Sequence, residues 1–287
     1  MEYSGRRCLE AGLCRADGGR CRQACAALAG EWGDAFGRLV DGLPVSLVRP
    51  SDTERPTWAV YQHERYLGTV HARPDDDGLW HVQSVAEQCP SLDDAVRVLR
   101  RPSSWFRQRQ QVARWARTVL ADPALLVIDV QTAGLGAQAW AVQIAALDGR
   151  GRTLVNEVLD PREPITAAAS ELHGITCSQV AHAPRFADLL PELTGVVAGR
   201  RCVAYNARFD CGVLARELLR HHADVSLVRA WLGRSRWEDA MGPAAVAEGL
   251  WSVDGSHYRR QRLGGRYDAV DKCRALLRRL HHLAWAV

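Results

Sequence analysis

Leu125-Leu126-Val127-Ile128-Asp129-Val130-Gln131-Thr132-Ala133-Gly134-Leu135 puts an acid near the end of an apolar run and follows it with a glycine-bearing turn. The nearly continuous apolar run Leu125–Val130 predicts a central strand covered on both faces. An acid at the carboxyl end of such a strand lies where α/β folds place their sites. Taken alone, Asp129 fits a cap for the next turn as well.

Downstream, Ala139–Leu147 and Thr153–Leu159 read as strands joined by the hairpin turn Asp148-Gly149-Arg150-Gly151. Helices are expected over Ala167–His173, Pro184–Leu193 and Phe209–His221, with a strand at Arg201–Tyr205 and a last helix from Tyr267 to Trp285. Strands in succession, then alternation with helices, predict an α/β mixed sheet flanked by helices. Upstream, Trp105–Leu120 is helical, and its Arg107, Arg109, Arg114 and Arg117 form either a solvated face or a phosphate-binding strip. Residues 43–105 read as a small α/β accessory domain. It has strands at Pro44–Val48, Thr57–Gln62, Tyr66–His71 and Leu79–Gln83, and a helix N-capped by Ser91 that ends near Arg101-Pro102. Residues 1–42 hold a cysteine cluster and a helix expected over Arg22–Leu39, leaving 106–287 as the main domain.

The chain has 287 residues, 47% of them apolar, and a net charge of +4. No stretch approaches the roughly 20 apolar residues of a membrane span, and the charged start Met1–Glu10 is unlike a secretory signal. A cytoplasmic protein with no membrane association is the expectation. The mild positive charge permits nucleic-acid binding without arguing for it. Nearly all of it is arginine, Lys272 being the sole lysine. Of nine cysteines, Cys8, Cys14, Cys21 and Cys25 cluster. Four thiolates are the donor set of a tetrahedral Zn²⁺ site, but the spacing lacks a Cys-x₂-Cys knuckle, so a reduced segment without metal is the competing reading.

Two further acids stand out. Asp210 follows the Arg201–Tyr205 strand and opens a helix, a common position for a helix-start residue. Asp271 lies four residues after Tyr267, which on a helix puts the two roughly 40° apart.

Together these motifs resemble the DnaQ-like 3′–5′ exonucleases of the DEDD superfamily. The resemblance runs from about Leu125 to Leu280. It is carried by Val127–Leu135, Val142-Gln143-Ile144-Ala145, His173-Gly174-Ile175-Thr176, Ala183-Pro184-Arg185-Phe186, Val203–Asp210 and Tyr267–Arg274. It implies a ribonuclease-H-like sheet, with four acids holding two Mg²⁺ or Mn²⁺ ions for phosphodiester hydrolysis at nucleic-acid 3′ ends. Asp129 matches the first acid and Asp210 the third. Gln131 stands where the second acid is expected; its amide offers an oxygen but no charge. In the family's histidine register, Tyr267 replaces the histidine and Lys272 the fourth acid. In its tyrosine register, Tyr267 pairs with Asp271. The implied substrate contacts are Thr132, Gly134, Leu135, Asn206 and Phe209. Arg259, Arg260, Arg262 and Arg266 are either a phosphate patch or a solvated loop.

Two readings follow. In one, Asp129, Asp210 and Asp271, with Gln131 assisting, hold metal at weakened affinity, Tyr267 orients the water, and single-stranded 3′ ends are shortened. In the other, Gln131 and Lys272 leave a catalytically inactive nuclease fold that binds nucleic acid, a protein partner or a second copy of itself.

Overall fold

The computed structural model describes residues 35–50, 57–72, 79–83, 85, 87–134, 136, 138–252 and 255–285. They form two compact units. One holds the described residues up to Ser103 together with Gly249–Arg259; the other holds Ser104–Glu248 with the described residues from Arg260 onward. The cluster Cys8, Cys14, Cys21 and Cys25 lies outside the described residues, as does Leu135.

The first unit is a six-stranded antiparallel meander. Its strands are β1 (Ala35–Val40), β2 (Leu43–Val48), β3 (Thr57–Gln62), β4 (Arg65–Ala72), β5 (Trp80–Val82) and β6 (Gln88–Cys89), paired in chain order. The helix expected over Arg22–Leu39 is corrected where it is described: Ala35–Leu39 belongs to β1. Asp41-Gly42 explains why. Both residues have positive φ, 54° and 76°, and they join Val40 to Leu43 as a two-residue hairpin turn. Helix α1 (Leu92–Arg100) packs its Leu92, Ala95 and Val96 against Val45, Leu47, Trp58, Val60 and Trp80. Ser91 caps it, its hydroxyl accepting from the Asp94 N–H at 3.1 Å. The returning segment adds a short hairpin, Trp251–Ser252 against His257–Tyr258.

The second unit begins with α2 (Trp105–Leu120) and builds a five-stranded mixed sheet from β7 (Leu125–Thr132), β8 (Ala141–Asp148), β9 (Thr153–Val158), β10 (Arg201–Ala204) and β11 (Arg236–Asp239). The order is β11-β10-β7-β8-β9; β10 runs parallel to both β7 and β11, and β8 antiparallel to β7 and β9. Between β9 and β10 lie α3 (Ala167–His173), α4 (Cys177–Val180) and α5 (Phe186–Val197). After β10 come α6 (Ala207–His222), α7 (Val225–Leu232), α8 (Met241–Glu248) and α9 (Ala269–Trp285).

Strand β7 is central, and its side chains alternate between the two faces. Leu126, Ile128 and Val130 pack with Leu189 and Leu193 of α5 and Leu214 and Leu218 of α6. Leu125 and Val127 pack with Cys273, Leu276 and Leu280 of α9. Asp129 and Gln131 share the parity of Val127, so they face the α9 side. The β7–β8 register shifts between Gln131 and Thr132; such bulges re-aim side chains at strand ends.

The last helix begins at Ala269, two residues later than expected, so Tyr267 precedes it and the reading of Tyr267 and Asp271 on one helical face does not hold. Asp268 sets the start. Its carboxylate accepts from the Asp271 N–H at 3.0 Å and from Gln143 Nε2 at 2.9 Å, while the Ala269 N–H donates to Gln143 Oε1 at 3.0 Å. Buried Gln143 thereby ties the helix start to β8 and satisfies orphan helix-end groups.

Candidate nucleic-acid site

A cavity of about 440 Å³ opens at the carboxyl end of β7, lined by the end of that strand, the start of α6 and the loop before α9. It brings together nine of the residues nominated from sequence: Asp129, Gln131, Thr132, Gly134, Asn206, Phe209, Asp210, Tyr267 and Lys272. Asp271 is not among its lining residues. Its half-exposed carboxylate lies 3.4 Å from Arg274. Adjacent positions on a helix point about 100° apart, and here Lys272 is the one turned inward, 8% exposed.

Two carboxylates reach the cavity. Asp210, 4% exposed, opens α6 and accepts the Val130 N–H at 3.0 Å. Asp129 Oδ2 accepts from Gln131 Nε2 at 2.6 Å. Gln131 therefore contributes a donor to Asp129 and no charge. Burial raises the Asp129 carboxyl to about 7, against the lowering pull of the Gln131 hydrogen bond and of Lys272. Burial, then the neighbouring Asp129, pushes Asp210 well above the usual carboxylate range.

Lys272 Nζ donates to the Gly264 carbonyl at 2.9 Å and sits 3.8 Å from the Tyr267 ring centroid, a cation–π contact. Burial lowers its pKa, and the Asp129 charge opposes that shift. Among the described residues, the ammonium has no carboxylate within 4.0 Å; it acts on Asp129 through the field alone. Gly264 and Gly265, at φ 77° and 76°, supply the left-handed turn that brings the receiving carbonyl to it.

The walls include residues not nominated for this site. Leu172, Tyr205, Met241, Gln261 and Leu263 line it, as does His173. His173 Nδ1 accepts the Ile175 N–H at 3.0 Å, so the proton lies on Nε2, which donates to the Thr132 carbonyl at 3.1 Å. That neutral imidazole braces the turn after β7; burial keeps its pKa low. The His173-Gly174-Ile175-Thr176 motif was the available signal. Tyr205 Oη donates to the Gln261 carbonyl at 2.6 Å, fixing the loop that carries Arg260 and Arg262 into the cavity. Of the other two arginines named with them, Arg259 belongs to the first unit, 3.8 Å from Asp41, and Arg266 is not in the lining.

The donor set does not fit two dications. Hard divalent ions favour charged oxygens, yet the cavity offers two carboxylates, one already hydrogen-bonded to Gln131, and it holds an ammonium. Among the described residues no group of three or more His, Cys, Asp or Glu side chains is placed to hold a metal ion. No described helix is long and apolar enough to cross a membrane.

Comparison with known proteins gives the same family from sequence. The RNase_T exonuclease family model matches residues 126–230. Uncharacterized exonuclease CP81 of Escherichia phage 186 is 33% identical over 99 residues, 34% of this chain and 50% of that protein. A DNA polymerase III subunit epsilon-like protein of Rhodobacter capsulatus is 38% identical over 111 residues, 36% of this chain and 16% of that protein. The match thus spans half or less of either relative. Among solved structures, exonuclease X in complex with 5′ overhanging duplex DNA aligns over 55% of this chain and 89% of its own, at 23% identity and a TM-score of 0.38. The chain therefore carries an exonuclease-family domain, DnaQ-like in its motifs and with a helix-flanked mixed sheet.

Proposed function

We propose that this domain binds the 3′ end of a single nucleic-acid strand directly, without the two-metal hydrolysis typical of its family. The observation that carries the reading is Lys272: its ammonium lines the cavity with Asp129 and Asp210 while Asp271 lies outside it. In a two-metal site the dications neutralise the phosphate. Here Lys272, Arg260 and Arg262 line the same cavity as fixed cations, and carboxyls with raised pKa oppose them weakly near neutral pH. Asn206 is exposed at the start of α6, its side chain making no capping bond, and the half-buried Phe209 follows it; these would contact the terminal nucleotide.

Fluorescence anisotropy with a 3′-hydroxyl single strand tests this. Binding is expected to survive EDTA, to weaken about tenfold in Lys272→Met, and to exceed binding of a strand whose 3′ end is blocked by a bulky group. Binding that appears only with Mn²⁺ would overturn it.

One observation favours a hydrolytic reading. The Asp129–Asp210 pair is retained, and each carboxyl's raised pKa is relieved by a bound cation. In that case a divalent ion, Mg²⁺ or Mn²⁺, would rest on these two residues, with Tyr267 beside it.

A further inference from the structure

At the opposite end of the same sheet, a second cavity of about 410 Å³ is lined by Arg200, Arg201, Arg234 and Arg236, with Asp122 and Ser235 beside them. It forms where the parallel strands β10 and β11 begin. The two loops that enter them are locked together: the Gly199 N–H donates to the Arg234 carbonyl at 2.9 Å and the Arg236 N–H to the Arg200 carbonyl at 3.0 Å. Gly199, at φ +73°, makes the turn. Ser235 Oγ donates to the Val197 carbonyl at 2.8 Å. The arginines are thus presented by fixed backbone.

Their charges are not cancelled. Buried Arg201 is held by Glu238 at 2.8 Å and lies 3.8 Å from Asp122, and Arg236 shares Glu238 at 2.7 Å. Those two carboxylates face four guanidinium groups. Among the described residues, Arg200 and Arg234 have no carboxylate partner. Guanidinium groups match phosphate oxygens in charge and in bidentate geometry. The seven-residue step from Ala124 to Gln131 along β7, at about 3.3 Å per residue, puts this notch roughly 23 Å from the first cavity.

We propose that this notch is a second phosphate-binding site, which takes the backbone of a nucleic-acid strand irrespective of its end. Arg200 and Arg234 make the contacts, and Arg201 and Arg236 supply fixed positive potential.

A closed circular single-stranded DNA, which has no 3′ end, isolates this site. Its binding to the full chain in EDTA is measured by anisotropy across a salt series. Arg200→Gln/Arg234→Gln, with thermal unfolding confirming its fold, is expected to weaken the circle about tenfold and to reduce the slope of log K against log salt by up to about 1.4. Wild-type affinity and slope in the double variant would overturn the proposal. Full displacement of the circle by an equal concentration of a mononucleoside monophosphate would overturn the assignment to a strand. Failure of the 3′-end reading is separate: it shows as linear and circular strands binding the wild type equally.

Discussion

The two sides of the first cavity carry opposite charge. The β7–α6 side carries two carboxylates, Asp129 and Asp210, and the Val130 N–H donates to Asp210 as part of the strand-to-helix junction. The α9 side is seated by Cys273, Leu276 and Leu280 packed on β7 and β8, and it delivers Lys272. Beside that apolar face, α9 is held by Asp268 and Gln143 at its start, by Arg279 on Glu248 at 2.6 Å and by Arg117 on the Ala284 carbonyl at 2.8 Å, and none of these is the charge that meets the cavity. A fold can therefore keep its packing, worth roughly 1.5–3 kcal/mol per buried large aliphatic side chain, while the chemistry of one wall changes sign.

The largest expected effect comes from making the two sides alike. Gln131→Glu with Lys272→Asp supplies four carboxylates, and calorimetry should show Mn²⁺ binding at least about 100-fold tighter than in the parent. No gain would mean that Lys272 does not occupy the position of the missing acid. Next is the pH dependence of stability in Asp129→Asn. Below about pH 4 the carboxyl is protonated in folded and unfolded chains alike, and the variant should match the parent. Between there and about 7 the unfolded chain loses its proton first, so the parent loses stability that the variant keeps. By pH 8 urea titration should find the variant more stable by up to about 4 kcal/mol. A variant less stable at pH 8 would contradict the raised carboxyl.

Smaller effects separate neighbouring acids on the α9 side. Asp268→Ala removes the cap and one of the two acceptors of Gln143 Nε2, leaving Asn156 Oδ1 at 3.1 Å, and is expected to cost about 1–3 kcal/mol in thermal unfolding. Asp271→Ala, losing only a surface contact to Arg274, should cost under about 0.5 kcal/mol. Equal losses would mean that Asp268 is not the cap of the helix. A modest effect is expected on affinity. From pH 8 to pH 6, as Asp129 takes up a proton, 3′-hydroxyl strand binding should tighten by roughly threefold to tenfold. Weakening over that range would mean that the carboxylates attract the ligand through a cation.

Where local pattern decided an element, the sequence was readable to the residue. The alternation of Thr57–Gln62, the amphipathic run Trp105–Leu120 and the segment Ala167–His173, closed by a left-handed Gly174, all have the bounds expected of them. The β1 strand was misread because its Ala-Phe-Gly-Arg-Leu-Val pattern reads as the end of the helix expected from Arg22, and only the Asp41-Gly42 turn betrays it. Helix α7 was missed although Asp224 caps it, its carboxylate accepting the Ser226 N–H at 2.7 Å. At the site, Asp129, Gln131 and Asp210 were legible because strand parity and a helix start place them. The start of α9 was not, because Asp268 is chosen by Gln143, 125 residues away in sequence. The helix that starts there turns Lys272, not Asp271, inward.

The most direct test is digestion of a 3′-labelled single-stranded oligonucleotide with Mn²⁺, run beside Asp129→Ala, with binding of the same strand measured in EDTA. We predict a strand that is bound in EDTA and keeps its full length with Mn²⁺. Shortening by the wild type that disappears in Asp129→Ala would contradict it and restore the hydrolytic reading.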